Sequence, residues 1–304
     1  MAMALAANAA EFETHRSHLL GIAYRMTGSL ADAEDLVQEA WLRWQAADRA
    51  GIESPRAYLA TVVTRLALDH LKSARVRREQ YVGQWLPEPA PESLFAGELS
   101  PEQRAEVHDS LSYAFVVMLE RLAPLERAVF LLRDVFDYDY REIAEVVDRS
   151  EPACRQVLHR ARARLAEARP RYECGYQQRL RLLEAFTRAA SVGDMDALTA
   201  VLAEDVVAIA DGGGKRASAI NPIRGADRVA RFFAGVTRKE VYDRVALVTV
   251  NGVPAVAITR RGRLVDLVIV EPGEDGRIAS VFVLRNPEKL ARVEATLAPG
   301  ADVS

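Results

Sequence analysis

Cysteine is nearly absent from this chain of 304 residues. Only Cys154 and Cys174 occur, too few for a disulfide framework and without the spacing of a metal cluster, a pattern that suits a reducing cytoplasm. Long apolar runs are missing too: none approaches the roughly eighteen residues that a membrane span needs. The opening MAMALAANAA has no basic n-region, and Glu11, Glu13, His15 and Arg16 follow at once, so a secretory signal is not expected. No histidine follows His159, which removes the commonest acid/base residue from the C-terminal part. These absences point to a cytoplasmic protein with no membrane partner, metal, cofactor or catalytic site.

What is present suits a globular protein. Half of the residues are apolar and 27% are charged, and the length allows two or three domains, each with its own core. The net charge of −3 conceals a local asymmetry: Arg155, Arg160, Arg162, Arg164, Arg169, Arg171, Arg179 and Arg181 face only Glu167 and Glu173 over one stretch. A merely solvated helix mixes its signs, whereas a run of one sign suits a phosphate backbone.

The stretch from Pro124 to Leu165 organises the rest. Tyr140, Ile143, Ala144 and Val147 recur at helical spacing. Asp148-Arg149 then makes a turn, Ser150 is placed to cap a second helix, and Pro152 falls in its first turn, where a missing N–H costs nothing. On that second helix Cys154, Leu158, Ala161 and Leu165 share one stripe, while Arg155, Gln156, His159 and Arg160 point away from it. An apolar helix, a tight turn and a helix with a basic front describe a helix-turn-helix. A helical hairpin with a solvated face is the plainer alternative.

Upstream, residues 12–27 form a helix that Gly28 ends, and a second helix follows Ser29 with Leu36, Val37, Ala40, Trp41 and Trp44 inward and Asp35, Gln38, Glu39 and Arg43 outward. After the loop 46–56, a long helix is apolar in its first half and cationic in its second, with Lys72, Arg75, Arg77 and Arg78. Residues 79–108 carry Pro87, Pro89, Pro91 and Pro101 and read as an extended linker. Trp85 and Leu86 are unusual there, since large apolar residues need a surface to cover them. Another helix is expected over 103–122. After Arg171 the pattern becomes α+β: two helices, the strand DVVAIAD running into Gly212–Gly214, and apolar runs separated by the hairpin turns Asn251-Gly252 and Glu274-Asp275-Gly276. This order predicts a twisted antiparallel sheet closed by helices into a cone with a pocket.

Together these pieces resemble a bacterial sigma factor of the extracytoplasmic-function class. DAEDLVQEAWLRW, Ser54–Arg78 and the helix-turn-helix with its ending LHRARARL are similar to the region 2 and region 4 sequences of that class. The part after Arg171 resembles a SnoaL-like, NTF2-type cone. WLPEP (85–89), DGGGK (211–215) and NPEKL (286–290) match the subgroup with such an extension, the SigJ type. The implied fold class is multi-domain: two all-α sigma domains, a helical bundle (11–80) and a helix-turn-helix (109–170), joined by a proline-rich linker (81–108) and followed by an α+β cone (175–292).

The resemblance also implies partners and roles. Core RNA polymerase would be met by Asp35, Gln38 and Glu39. The loop Asp48–Pro55 would capture one unstacked base of the −10 element. Promoter DNA would be read at −10 by Arg65 and Asp69, with Lys72, Arg75, Arg77 and Arg78 on the same helix. At −35 it would be read by Arg155, Gln156, His159, Arg160 and Arg162. Two departures stand out: Arg65 occupies a position where many of these proteins have Asn, and Asp148 one where Gly is common.

The cone is expected to regulate by docking on the linker through Trp85, Leu86, Pro87, Glu88 and Pro89, with Asp211, Gly212, Gly213, Gly214, Lys215, Asn286 and Pro287 on its own side. Asp211 or Lys215 is expected to pair with Glu88 or a nearby Arg. Whether the cone holds a small molecule is left open. Two other functions compete: a ligand-sensing helix-turn-helix regulator, which leaves 12–80 unexplained, and a SnoaL-like enzyme, whose acid/base candidates are Asp211, Tyr242 and Asp266. DGGGK is no Walker loop, because its spacing differs and no Ser or Thr follows the Lys.

Overall fold

The computed structural model describes residues 2–48, 51–79, 81–91, 112–166, 174–237 and 242–297, and among these the side chains other than those of 2–7 and 74–79. They fall into two compact units. One comprises residues 2–79 and 115–166, the other 81–91, 112–114 and 174–297.

The first unit is helical. Its helices are α1 (Ala2–Thr27), α2 (Leu30–Ala46), α3 (Pro55–Glu79), α4 (Tyr113–Leu119, whose first two residues count with the second unit), α5 (Pro124–Phe130), α6 (Tyr140–Val147) and α7 (Glu151–Ala166). α5 continues into a π-helical turn, Leu131–Val135. Helix α1 begins ten residues before the expected start at residue 12, because the alanine-rich opening has high helix propensity although it carries no apolar stripe. Gly28 ends it at φ 68°, and the Ser29 side chain accepts from the Asp32 amide to start α2. Leu19, Ala23, Met26, Val37, Ala40, Trp44, Leu59 and Val63 are buried where these three helices pack. Of the helix expected over 103–122, Tyr113–Leu119 is seen, and residues 103–111 lie outside the described ones.

The second unit contains α8 (Tyr176–Val192), α9 (Met195–Val201), β1 (Leu202–Asp211), β2 (Ile223–Arg224), α10 (Ala226–Thr237), β3 (Arg244–Val250), β4 (Val253–Arg260), β5 (Arg263–Pro272), β6 (Ile278–Leu284) and α11 (Pro287–Thr296). Its six strands form one sheet in the order β2-β1-β6-β5-β4-β3. The expectation of an antiparallel sheet needs one correction: β1 and β6 pair parallel. A parallel pair requires a crossover, and here everything from β2 to β5 intervenes before β6 returns beside β1. The turn at Asn251-Gly252 has φ 51° and 70°, the left-handed pair that a tight hairpin demands. Arg261-Gly262 makes a further turn of this kind with φ 53° and 70°, which its sequence did not announce. Leu183, Phe186, Leu198, Val229, Phe233 and Val281 belong to the core between α8, α9, α10 and the sheet, and the Phe186 and Phe233 rings meet edge-on at 4.9 Å.

Among the described residues, no helix is long and apolar enough to cross a membrane.

Candidate functional site

The helix-turn-helix is built by local signals. Asp139 accepts from the Glu142 amide while the Glu142 carboxylate accepts from the Asp139 amide, a capping box that starts α6. Asp148 ends α6 in the left-handed conformation at φ 53°, which Asp tolerates better than most residues. Ser150 Oγ then accepts from the Ala153 amide at 3.4 Å to start α7. The buried stripe of α6 is Ile143, Val146 and Val147. Val146 thus joins the buried stripe, while Tyr140 and Ala144 of the expected stripe are only half-buried. Tyr140 stays half-buried because its ring is covered from outside by the guanidinium of Arg155, 4.4 Å from the ring centre.

On α7, Cys154, Val157, Leu158, Ala161 and Leu165 are buried, whereas Arg155, Gln156, His159 and Arg160 are exposed along the opposite face. Arg155 is partly held by Glu151 at 3.0 Å. Arg162 departs from this group. Its Nε and Nη2 donate to both carboxylate oxygens of Asp134 at 2.8 and 2.7 Å, which anchors α7 to the turn after α5. Arg164 likewise pairs with Glu126 at 3.2 Å. The structure therefore places all five expected residues on the exposed side of α7, with Arg155 paired to Glu151 and Arg162 to Asp134.

On α3, Arg65 is also engaged. Its Nε donates to the carbonyl of Val146 at 3.0 Å and its Nη2 to that of Glu145 at 2.6 Å. These are terminal carbonyls of α6, where the negative end of a helix dipole favours a cation. One turn further, Asp69 accepts from Lys72 at 2.8 Å, both side chains being 74% exposed. The helix continues through Arg75, Arg77 and Arg78, whose side chains lie outside the described ones. On α2, Asp35 and Gln38 are exposed, and half-buried Glu39 accepts from Arg43 at 3.0 Å. The loop between α2 and α3 is described except for residues 49 and 50.

The second unit holds the linker segment 81–91 in a polar clamp. Asp211, at the end of β1, is wholly buried. Its carboxylate accepts from the Tyr81 hydroxyl at 2.6 Å, the Leu86 amide at 2.9 Å, the Gly213 amide at 3.0 Å and the Lys289 ammonium at 2.7 Å. Lys289 also donates to the Leu86 carbonyl at 2.5 Å, and its ammonium lies 4.2 Å from the centre of the half-buried Trp85 ring. Burial, together with the Asp211 carboxylate, raises the Tyr81 phenol well above its usual pKa, which keeps it a neutral donor. Asn286 donates from Nδ2 to the Tyr81 oxygen at 3.0 Å and caps α11 through Oδ1, with Pro287 following at the first helical position.

Leu86 is 1% exposed, and Pro87, Glu88 and Pro89 are buried as well. At the far end, the Ala90 amide donates to Asn251 Oδ1 at 2.8 Å and the Asn251 amide to the Ala90 carbonyl at 2.7 Å. The Tyr113 hydroxyl donates to the Pro87 carbonyl at 2.8 Å. The triglycine turn is shaped by this neighbourhood. A Cβ on Gly212 would collide with the Arg216 carbonyl and one on Gly213 with Asn286, while Gly213 and Gly214 have φ 60° and 71°.

The expected charge pairings need correction. Asp211 pairs with Lys289, Lys215 with Glu288, and Glu88 with Arg292 at 3.2 Å. Helix α11 supplies both cations, Lys289 to Asp211 and Arg292 to Glu88, which leaves Lys215 to Glu288 on the same helix. Tyr81, Asn251, Lys289 and Arg292 were missed as partners. Lys289 stands in the NPEKL string and Asn251 in its hairpin turn, whereas Tyr81 carries no local signal.

A helix-turn-helix with a cationic face, a long helix with its own exposed polar face and a cone holding a linker define a class: a DNA-binding transcription factor with an appended α+β domain. Residues 12–77 match the family model Sigma-70 region 2 and residues 113–165 match Sigma-70, region 4. The chain is 38% identical over 292 residues to the ECF RNA polymerase sigma factor SigJ of Mycobacterium tuberculosis, covering 92% of each. It is 35% identical over 295 residues to the probable ECF RNA polymerase sigma factor SigI of that organism, covering 96% of this chain and 97% of the relative. The crystal structure of M. tuberculosis SigJ matches with a TM-score of 0.74 at 34% identity, over 93% of this chain and 98% of that one. The chain belongs to the extracytoplasmic-function RNA polymerase sigma factors.

Proposed function

We propose that this sigma factor binds core RNA polymerase, reads a two-element promoter through α3 and α7, and is regulated by its own cone through the grip on residues 81–91. The observation that carries the regulatory part is the buried Asp211 carboxylate, which draws donors from Tyr81, Leu86, Gly213 and Lys289. A segment that only connects two domains has no need of a buried charge pair, since desolvating two charges is repaid only when geometry is well defined. A linker held this way restricts the spacing and orientation that the two DNA-reading helices can adopt.

The cone works here as a holder and not as a catalyst. Of the acid/base candidates, Asp211 is committed to the linker and Asp266 to Arg285 at 2.5 Å. The interface proposed for DNA consists of Arg155, Gln156, His159 and Arg160 at −35 and of the α3 face at −10. Asp35, Gln38 and Glu39 are proposed for the polymerase.

Run-off transcription with purified core polymerase and mapped promoters tests this reading. The parent protein is expected to give core-dependent transcripts, and Trp85→Ala and Asp211→Asn proteins an altered yield together with faster proteolysis of the linker. DNA binding without any core-dependent transcript would refute the sigma activity. Unchanged transcription and cleavage in both folded variants would refute regulation by the cone.

A further inference from the structure

We infer that the cavity inside the cone binds a small uncharged ring compound bearing one hydroxyl or carbonyl oxygen, and that its occupancy acts on the Asp211 clamp. This rests on the reading of the cone as a regulator. The cavity has a volume of about 110 Å³. Packed interiors leave few voids larger than a water molecule, and an apolar cavity of about 150 Å³ takes up benzene. At about 110 Å³ the space is somewhat smaller, so it suits a single six-membered ring with one small substituent, roughly six to eight non-hydrogen atoms, the substituent reaching the open mouth of the cavity.

Phe186, Phe232, Phe233, Val256, Ile258 and Val268 supply apolar wall, which disfavours a charged ligand. Ser218, Tyr242, Asp266 and Arg285 bring polar groups to the same cavity. Asp266 is 4% exposed, and its carboxylate is already neutralised by Arg285. A hydroxyl or carbonyl can hydrogen-bond at such a pair, whereas another ion would upset its charge balance.

The wall of the cavity is also the back of the clamp. Ala210 lines the cavity, and its neighbour Asp211 holds the linker, as the alternation of side chains along a strand requires. Arg285 lines the cavity, and its neighbour Asn286 holds Tyr81. Both residues donate their amides to the Asp211 carbonyl, at 2.7 and 3.0 Å. Arg285 Nη1 further donates to the Ala217 carbonyl at 2.7 Å, just beyond the triglycine turn. A ligand that draws on Arg285 thus pulls on the support of the clamp without touching the linker.

The test is a titration of the full-length, methyl-labelled protein with benzyl alcohol and cyclohexanone, and with toluene as the ring without oxygen. Saturable shifts of the Val256, Ile258, Val268 and Val283 methyls are expected, with toluene at least tenfold weaker. Linker proteolysis should change several-fold at saturation. Val256→Phe, or Ile258→Phe should the first variant fail to fold, is expected to abolish the shifts. Absence of saturable methyl shifts up to about 10 mM, a concentration at which binding of only about −2.7 kcal/mol would show, overturns the proposal. Binding with unchanged linker cleavage overturns the coupling. Failure of the regulator reading shows separately, as Asp211→Asn leaving transcription unchanged whatever the cavity binds.

Discussion

Asp211 concentrates much of the clamp in one carboxylate, so its loss is expected to be felt in both stability and linker docking. In Asp211→Asn, half-buried Lys289 loses the buried Asp211 charge, and breaking such a pair costs up to about 3 kcal/mol. Urea unfolding of the variant should show that loss, and Lys289→Met in the same chain should restore part of it because the orphaned cation is gone. A second residue sets a pH dependence. His18 packs edge-on against Phe136 and lies 3.1 Å from the Tyr138 hydroxyl, and burial, helped by Arg56, lowers its pKa to about 4. A folded-state pKa below the unfolded value of about 6.5 means that the neutral ring is favoured by folding. This contribution is complete above pH 6.5, declines as pH falls from there to about 4, and amounts to about 3 kcal/mol. Thermal unfolding of the parent should weaken over that window, and a His18→Gln protein, lower in absolute stability, should show a flatter profile.

At the scale of elements, α7 carries arginines proposed for recognition beside one, Arg162, that pairs with Asp134. Arg160→Ala is expected to weaken −35 binding by roughly 1–3 kcal/mol and to relax sequence preference if it reads a base, or to weaken all sequences evenly if it meets phosphate. Arg162→Ala should instead lower the melting temperature, since its bidentate partner is Asp134. Equilibrium binding to promoter and scrambled duplexes, with melting curves beside it, separates the two roles. Helix α3 presents a similar conflict. Arg65 spans to the last carbonyls of α6, so it can meet a −10 base only after leaving them. Arg65→Ala should cost the free protein about 1 kcal/mol of stability, the usual net worth of such bonds. Hydrogen exchange at the α6 C-terminus should rise at the same time.

For the whole molecule, the grip on residues 81–91 makes a prediction about promoters. If it restricts how the two reading helices can be spaced, transcription by the parent should fall steeply when the spacer between −10 and −35 is lengthened or shortened. The Asp211→Asn protein should tolerate those changes better. Equal spacer dependence of the two proteins would mean that the clamp has no part in spacing.

Much of this was legible in the chain itself, because the signals are local. Ser29, Asp148 and Ser150 mark helix ends through hydrogen bonds and φ values decided within a few residues, and Asn251-Gly252 specifies its hairpin in the same way. The exposed face of α7 followed from periodicity alone. Tertiary structure decided which polar groups meet, since that depends on segments far apart in sequence. It paired Asp211 with Lys289 and not with an Arg, paired Lys215 with Glu288 and not with Glu88, and turned Arg162 toward Asp134 and Arg65 toward α6. It also set β1 parallel to β6, because strand direction in a sheet depends on the path of the intervening chain and not on the residues of either strand.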